Sequence, residues 1–258
     1  MSNENSTGSV TIERYLDKER EAIFAIGNFE ALHEAYDSHA SVWEHDDSPL
    51  TNLMMRQALA GCALYHSCRP LDETSAFTLN ICKPPTNIFV TGSASDRRVT
   101  GRPWVAGVKD LGMNRLYVQT QRAKGADSTS VIDVAGIDVL VILEEYCRRS
   151  DQAPAKFFDL EDNRFLMVAS LPKKDRMWLE GLDRETAVKG IEGLALLDEK
   201  EFWFQCGCDP KRLAKALRQM YAGKGDEFFA EDETLKAQCP RCGRHWQIRR
   251  DLFDGEDE

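Results

Sequence analysis

The chain has 258 residues, eight cysteines and a formal net charge of −10. That length suits one large domain with a full apolar core and a small second one. The acidic balance argues against a general nucleic-acid binder, whose phosphate contacts draw on clustered Lys and Arg.

No window approaches the roughly 20 apolar residues of a membrane span. The start, MSNENSTGS, is polar and lacks an apolar signal core, so the expected compartment is the reducing cytoplasm, where thiols bind metal or sense oxidants. After this tail, Thr11 to Gly27 reads as strand–turn–strand with the turn at Asp17–Glu21. Phe29, Leu32 and Tyr36 then recur at helical spacing to about Ala40. His39, Glu44, His45, Asp46 and Asp47 follow. They could ligate a metal, but no spacing favours that over a solvated loop. Ser48 is an N-cap and Pro49 the first residue of a second helix, whose apolar residues cover more than one face, as in a buried helix.

Cys62 and Cys68 lie nearly opposite one another on that helix. With Cys82 and Cys147 they read as buried structural thiols, and His66 as an ordinary helix-end residue. From Phe77 the period becomes two. FTLNIC, NIFVTGS and RRVTGRPWV predict an antiparallel meander; RLYVQTQ and TSVIDVAG add two strands joined at Lys124-Gly125. Ile137 to Arg149 predicts a helix with Leu140, Val141 and Tyr146 inward. KFFDL and RFLMVASLP form a hairpin around Asp162-Asn163. The next stretch is charged with scattered apolar residues: Met177, Trp178 and Leu182 on one face, Val188, Ile191 and Leu194 on another. Gly190 and Gly193 weaken a helix there by about 1 kcal/mol each relative to alanine. This is either a marginal segment or an ordinary connector.

Chemistry concentrates near the C-terminal end. Cys206 and Cys208 are one residue apart, Cys239 and Cys242 two apart, and thirty residues separate the pairs. Four thiolates form the closed tetrahedral cage that a structural zinc prefers; unrelated buried thiols or two independent disulfides are the alternatives. Gly207 lets the Cys-x-Cys backbone kink so that both sulfurs face one way, and in CPRCG Pro240 stiffens the turn while Gly243 tolerates positive φ. Between the pairs, Asp209 caps a helix starting at Pro210, with Leu213, Ala216, Leu217 and Met220 as an apolar face over the metal and Gly223 and Gly225 ending it. His245 adjoins the knuckle, but four cysteines already fill the shell. Gly101, Gly107 and Gly112 are too spread to cradle a phosphate, and no catalytic constellation appears, so no enzyme is expected.

An aromatic strand into Cys-x-Cys, a short amphipathic helix, the acidic FFAEDETLKAQ and then CPRCG resembles the redox-regulated heat-shock chaperone family, the thirty-three-kilodalton heat-shock protein. The strand series, SDQAP and the hairpin ending at Leu171-Pro172 extend the resemblance over most of residues 12 to 250. The family implies that Cys206, Cys208, Cys239 and Cys242 hold one zinc per chain when reduced. It implies that oxidation pairs Cys206 with Cys208 and Cys239 with Cys242, releases the metal, and switches on an ATP-independent holdase. Partners would be partly unfolded clients, with a homodimer on oxidation as a candidate, and neither nucleic acid nor membrane. Met177, Trp178 and Leu182 are the candidate client-facing residues, and the knuckle is expected to detach first. Two features depart from the family: GMNRLYVQTQRAKG and SVIDVAGID replace its Gly-rich turns, and only about thirty residues lie between Pro172 and Cys206, where the family carries a longer linker.

The expected architecture is α+β: an antiparallel-sheet core with packed helices at 10–172, a helical connector at 173–199 and a zinc-binding redox-switch domain at 200–252. A constitutive zinc-ribbon interaction module without redox switching is the alternative function.

Overall fold

The computed structural model describes residues 8–46, 48–171, 177–221, 229 and 232–254; Asp47, the start of the connector, Gly223 and Gly225 lie outside the described residues. The chain divides into two units, 1–205 and 206–258.

The first unit is built on a mixed α+β plan. Its strands are β1 (Ser9–Asp17), β2 (Ala22–Asn28), β3 (Glu73–Ile81), β4 (Thr86–Ser93), β5 (Arg98–Trp104), β6 (Asn114–Arg122), β7 (Ser128–Val134), β8 (Ala155–Asp159), β9 (Arg164–Ser170) and β10 (Ala195–Phe204). They form one ten-stranded sheet in the order β7-β6-β3-β4-β5-β10-β1-β2-β9-β8. Neighbours pair antiparallel except β10 and β5, which run parallel over only Trp203↔Arg98 and Phe204↔Val99. The first hairpin turns where expected: Asp17 Oδ1 accepts from the Glu19 and Arg20 amides, and Glu21 takes a positive φ of 48°.

Three helices, α1 (Glu30–Val42), α2 (Pro49–Ser67) and α3 (Val139–Arg149), bury the larger apolar cluster against the sheet. Ser48 and Asp138 cap α2 and α3 through their side chains. In α3 the inward residues are Leu140, Ile142, Leu143, Tyr146 and Cys147, while Val141 is 54% exposed. A run as apolar as VLVIL leaves the inward stripe unmarked until a neighbour selects it. Cys62 and Cys147 are buried, Cys68 and Cys82 half-buried.

Strand alternation sends every second side chain to the opposite face. Ala25, Phe165 and Met167 belong to the helix-covered core, whereas Phe24, Leu166 and Val168 join a second cluster with Leu179, Leu182 and Ala187. The connector is what covers this second face. Its helices are short, α4 (Met177–Glu180) and α5 (Arg184–Lys189). Gly190 approaches Phe24 so closely that a Cβ there would sit 3.1 Å from the ring. Met177, Trp178 and Leu182 do not share a face: Met177 is 76% exposed, Trp178 is half-buried under the Arg20 guanidinium, and Leu182 is buried. The segment Ala195–Glu199, expected in a helical connector, is the first half of β10. It pairs with β1 from Leu16↔Ala195 to Glu13↔Glu199, so the sheet extends to 204 and the second unit starts at Cys206 rather than near 200.

His66 stands in the last turn of α2, as expected, and is fully buried beside Gly92 and Cys62. Burial holds its pKa down to about 3, and Arg69 acts in the same direction; burial likewise holds His33 at about 4. A histidine depressed in the folded state takes up its proton on unfolding. Its stabilising contribution is therefore complete above about pH 6.5 and is lost as pH falls toward the folded value. Denaturant midpoints should drop from pH 7.5 to pH 5, and a folded His66→Leu variant should show a clearly shallower drop. Parallel pH profiles for the two proteins would rule this out.

Candidate metal centre

The second unit begins as the chain leaves β10. Cys206, Gly207 and Cys208 form an irregular loop tied to the helix that follows, α6 (Pro210–Met220). Asp209 Oδ1 accepts from the Arg212 amide at 2.9 Å, and the Arg212 guanidinium donates back to the Gly207 carbonyl at 2.7 Å. Cys239 and Cys242 stand at the turn between β11 (Thr234–Gln238) and β12 (His245–Arg249), an antiparallel pair closed at Gln238↔His245. The Gly243 amide donates to the Cys239 carbonyl at 2.9 Å, the Cys239 amide to Arg244 O at 2.8 Å, and Gly243 has φ +75°. Glycine at that position relieves the strain a side chain would incur.

These turns bring the four sulfurs together. All lie within 4.8 Å of one another; Cys206 and Cys239 are 3.9 Å apart, Cys208 and Cys242 3.6 Å. A tetrahedral thiolate cage with metal–sulfur bonds of about 2.3 Å has edges of about 3.8 Å. The donor set and its spacing therefore fit a zinc-type ion. Packed this closely, the thiols do not titrate independently. Hydrogen bonding with Cys206 holds Cys208 down to about 7 and Cys239 lower still, while its bond with Cys208 pushes Cys206 up. Cys239 and Cys242 are buried, and Cys206 and Cys208 half-buried.

The rest of the unit supports this cluster. The inward face of α6 is Leu213, Ala214 and Leu217, packed with Phe229, Ala237, Ile248 and Phe253. Ala216 is exposed, and Met220 is 73% exposed. The expected stripe is thus rotated by about 60° at 100° per residue, because the helix buries its face against the β11–β12 hairpin and α7 (Arg250–Asp254), where Arg218 Nε donates to Phe253 O at 2.7 Å. One contact was not read from the sequence: the Trp246 indole N–H donates to Cys208 Sγ at 3.3 Å. The pair His245-Trp246 directly after the knuckle was the available signal. No other metal-like group occurs among the described residues. His39 and His45 instead meet edge-to-face at 5.5 Å, and His39 also packs on Phe204.

A family model described as "Hsp33 protein" matches residues 158–249, which include all four cysteines. The 33 kDa chaperonin of Salmonella typhi is 22% identical over 57% of this chain and 58% of its own length. That of Escherichia coli is 21% identical over 67% of this chain and 70% of its own. The chain is thus similar to the Hsp33 family, most directly over residues 158–249. Hsp33 is a chaperone family, and the aligned region spans little more than half of the Salmonella relative. The crystal structure of the 33 kDa chaperonin from Thermotoga maritima shares the fold, with a TM-score of 0.68 over 95% of this chain and 96% of that one at 13% identity. Among the described residues, no helix of this chain is long and apolar enough to cross a membrane.

Two substitutions sets test the centre. Changing Cys206, Cys208, Cys239 and Cys242 to serine should abolish zinc in protein purified under reducing conditions, against one per chain in the parent. Changing Cys62, Cys68, Cys82 and Cys147 to alanine or valine should lower stability, by about 1–3 kcal/mol at each buried site, yet leave zinc stoichiometry unchanged by metal analysis.

Proposed function

We propose that this chain is an ATP-independent holdase whose capture of partly unfolded proteins in a reducing compartment is controlled by thiol oxidation at Cys206, Cys208, Cys239 and Cys242; no catalytic turnover is assigned to it. The observation that carries this reading is the four-sulfur cluster within 4.8 Å, in a unit with few other means of holding itself together. The buried apolar residues described there are Ala214, Phe229, Ala237, Ile248 and Phe253, and domains this small ordinarily need a metal or disulfides. Bound zinc would keep the sulfurs as thiolates, nucleophilic where a free thiol of pKa about 8.5 is mostly protonated, and would contribute up to about 10–16 kcal/mol to local folding.

Each disulfide is a two-electron oxidation that consumes one peroxide. A cysteine sulfur attacks a peroxide oxygen; an S–O bond forms, the O–O bond breaks, and hydroxide leaves to become water. A second cysteine attacks the sulfenic sulfur, forming the S–S bond and releasing a second water. We assign the products as Cys206–Cys208 and Cys239–Cys242. With the sulfurs consumed, the small unit loses its principal cross-link. The connector then becomes the client surface: Leu182 and Trp178 leave the second apolar cluster and, with Met177, face solvent.

A constitutive zinc-ribbon interaction module is the second reading. It is favoured by β10, which is laddered into the sheet rather than marginally attached.

Adding peroxide while following zinc release and client aggregation together separates the two. Release accompanied by suppression of aggregation supports the switch; release without suppression supports the static module. Peptide mapping of the oxidised chain should find the two within-pair disulfides. Hydrogen exchange over 177–199 should accelerate at least tenfold, and unchanged protection after zinc loss would sink the connector mechanism.

A further inference from the structure

Cys62 and His66 lie four residues apart on one face of α2, and both are 0% exposed. They face the same glycine. A Cβ placed on Gly92 of β4 would stand 2.8 Å from Cys62 Sγ and 3.1 Å from His66 Nε2, so a glycine there is what leaves room for both donors. Among the described residues, neither ring nitrogen of His66 has a hydrogen-bond partner. Buried polar atoms are ordinarily satisfied, and leaving them unpaired is unfavourable. Here two such atoms are kept beside a thiol.

The chemistry of the pair selects the ligand. Burial keeps His66 neutral, with a pKa of about 3, so the ring offers a lone pair at neutral pH. Burial pushes the Cys62 thiol up, and a bound cation is what would hold it as a thiolate. Zinc is a poor match. With one thiolate and one imidazole it would bury a net positive charge and leave two of its four positions empty. A closed-shell monovalent ion satisfied by two donors makes a complex with no net charge. Thiolate sulfur selects Cu(I), and imidazole suits copper. The charged group that bears on His66 is Arg69, which Glu73 and Asp151 already pair.

We propose that Cys62 and His66 form a second metal site, a buried thiolate–imidazole pair that takes one monovalent thiophilic cation of the Cu(I) class. On binding, one metal–sulfur and one metal–nitrogen bond form, the Cys62 proton leaves to solvent, and no electron is transferred. The helix ends at Ser67, one residue beyond His66, so opening of its last turn admits the ion. The site is independent of the redox reading above, whichever way oxidation acts on the other cysteines.

The test titrates the reduced, zinc-loaded full chain anaerobically with Cu(I) against a chromophoric Cu(I) chelator. The four-cysteine centre also takes Cu(I), so the readout is a difference. The parent should hold one Cu(I) more per chain than Cys62→Ser and than His66→Leu, while Cys68→Ala and Cys147→Ala match the parent. Gly92→Ala keeps both donors, fills the space beside them, and should also hold one fewer. Zinc stoichiometry before copper is added, with far-UV circular dichroism, screens each variant for folding. NMR of the histidine ring nitrogens needs no variant to fold: in the parent, the His66 resonance should move on copper loading. Equal copper in the parent and both donor variants overturns the proposal. An unmoved His66 resonance at full loading does the same, and is the outcome for an imidazole that holds only a buried water. Copper lost in Cys62→Ser but retained in a folded His66→Leu also overturns it, since the ion then belongs to cysteines alone.

Discussion

The backbone ladder between β1 and β10 is the constraint on which the larger unit depends. β10 lies in the middle of the ten-stranded sheet, with β7-β6-β3-β4-β5 on one side and β2-β9-β8 beyond β1 on the other. Its link to β5 is two residue pairs long, while its link to β1 runs from Ser9↔Trp203 to Leu16↔Ala195. Remove it and both β5 and β1 become open edges, each a row of unpaired amides and carbonyls. Phe202 and Phe204 from the same strand enter the helix-covered core, so the strand joins the two halves by packing as well as by hydrogen bonds. Its last residue is separated from the first metal-site cysteine by Gln205 alone.

The smaller unit works by a different balance. Its apolar cluster is modest, and its order comes from short polar ties around the sulfurs: Arg212 to the Gly207 carbonyl, Cys239 to Arg244, Gly243 to Cys239. Each tie satisfies a backbone group in the turns that aim the cysteines. The centre is therefore preorganised by the same residues that end the strands and start the helix.

Much of this was legible in the residues. Ser48-Pro49 and Asp209-Pro210 are local signals, and both helices start there. The four cysteines declare themselves by spacing, because a chelating turn needs both ligands within a few residues. The features that escaped depend on partners distant in sequence. Ala195–Glu199 is too charged to read as a central strand, and only β1 makes it one. The inward faces of α3 and α6 were misplaced at Val141, Ala216 and Met220, since neighbouring elements choose among several apolar stripes. The burial of His66 depends on Gly92, twenty-six residues away, leaving room for the ring. The contact of Trp246 with Cys208 forms only through the hairpin register.

The arrangement of the sulfurs has a topological consequence. Within the cluster, two short separations run across the pairs, Cys206 to Cys239 and Cys208 to Cys242, each spanning more than thirty residues of chain. A disulfide across them would keep that loop closed and remove about 4 kcal/mol of conformational freedom from the unfolded chain. A disulfide within Cys206-Gly207-Cys208 or within Cys239–Cys242 closes only a turn and restrains almost nothing beyond it. The same number of oxidised sulfurs can therefore tie the small unit shut or untie it. The choice of partner, more than the extent of oxidation, decides the entropy of the segment carrying α6.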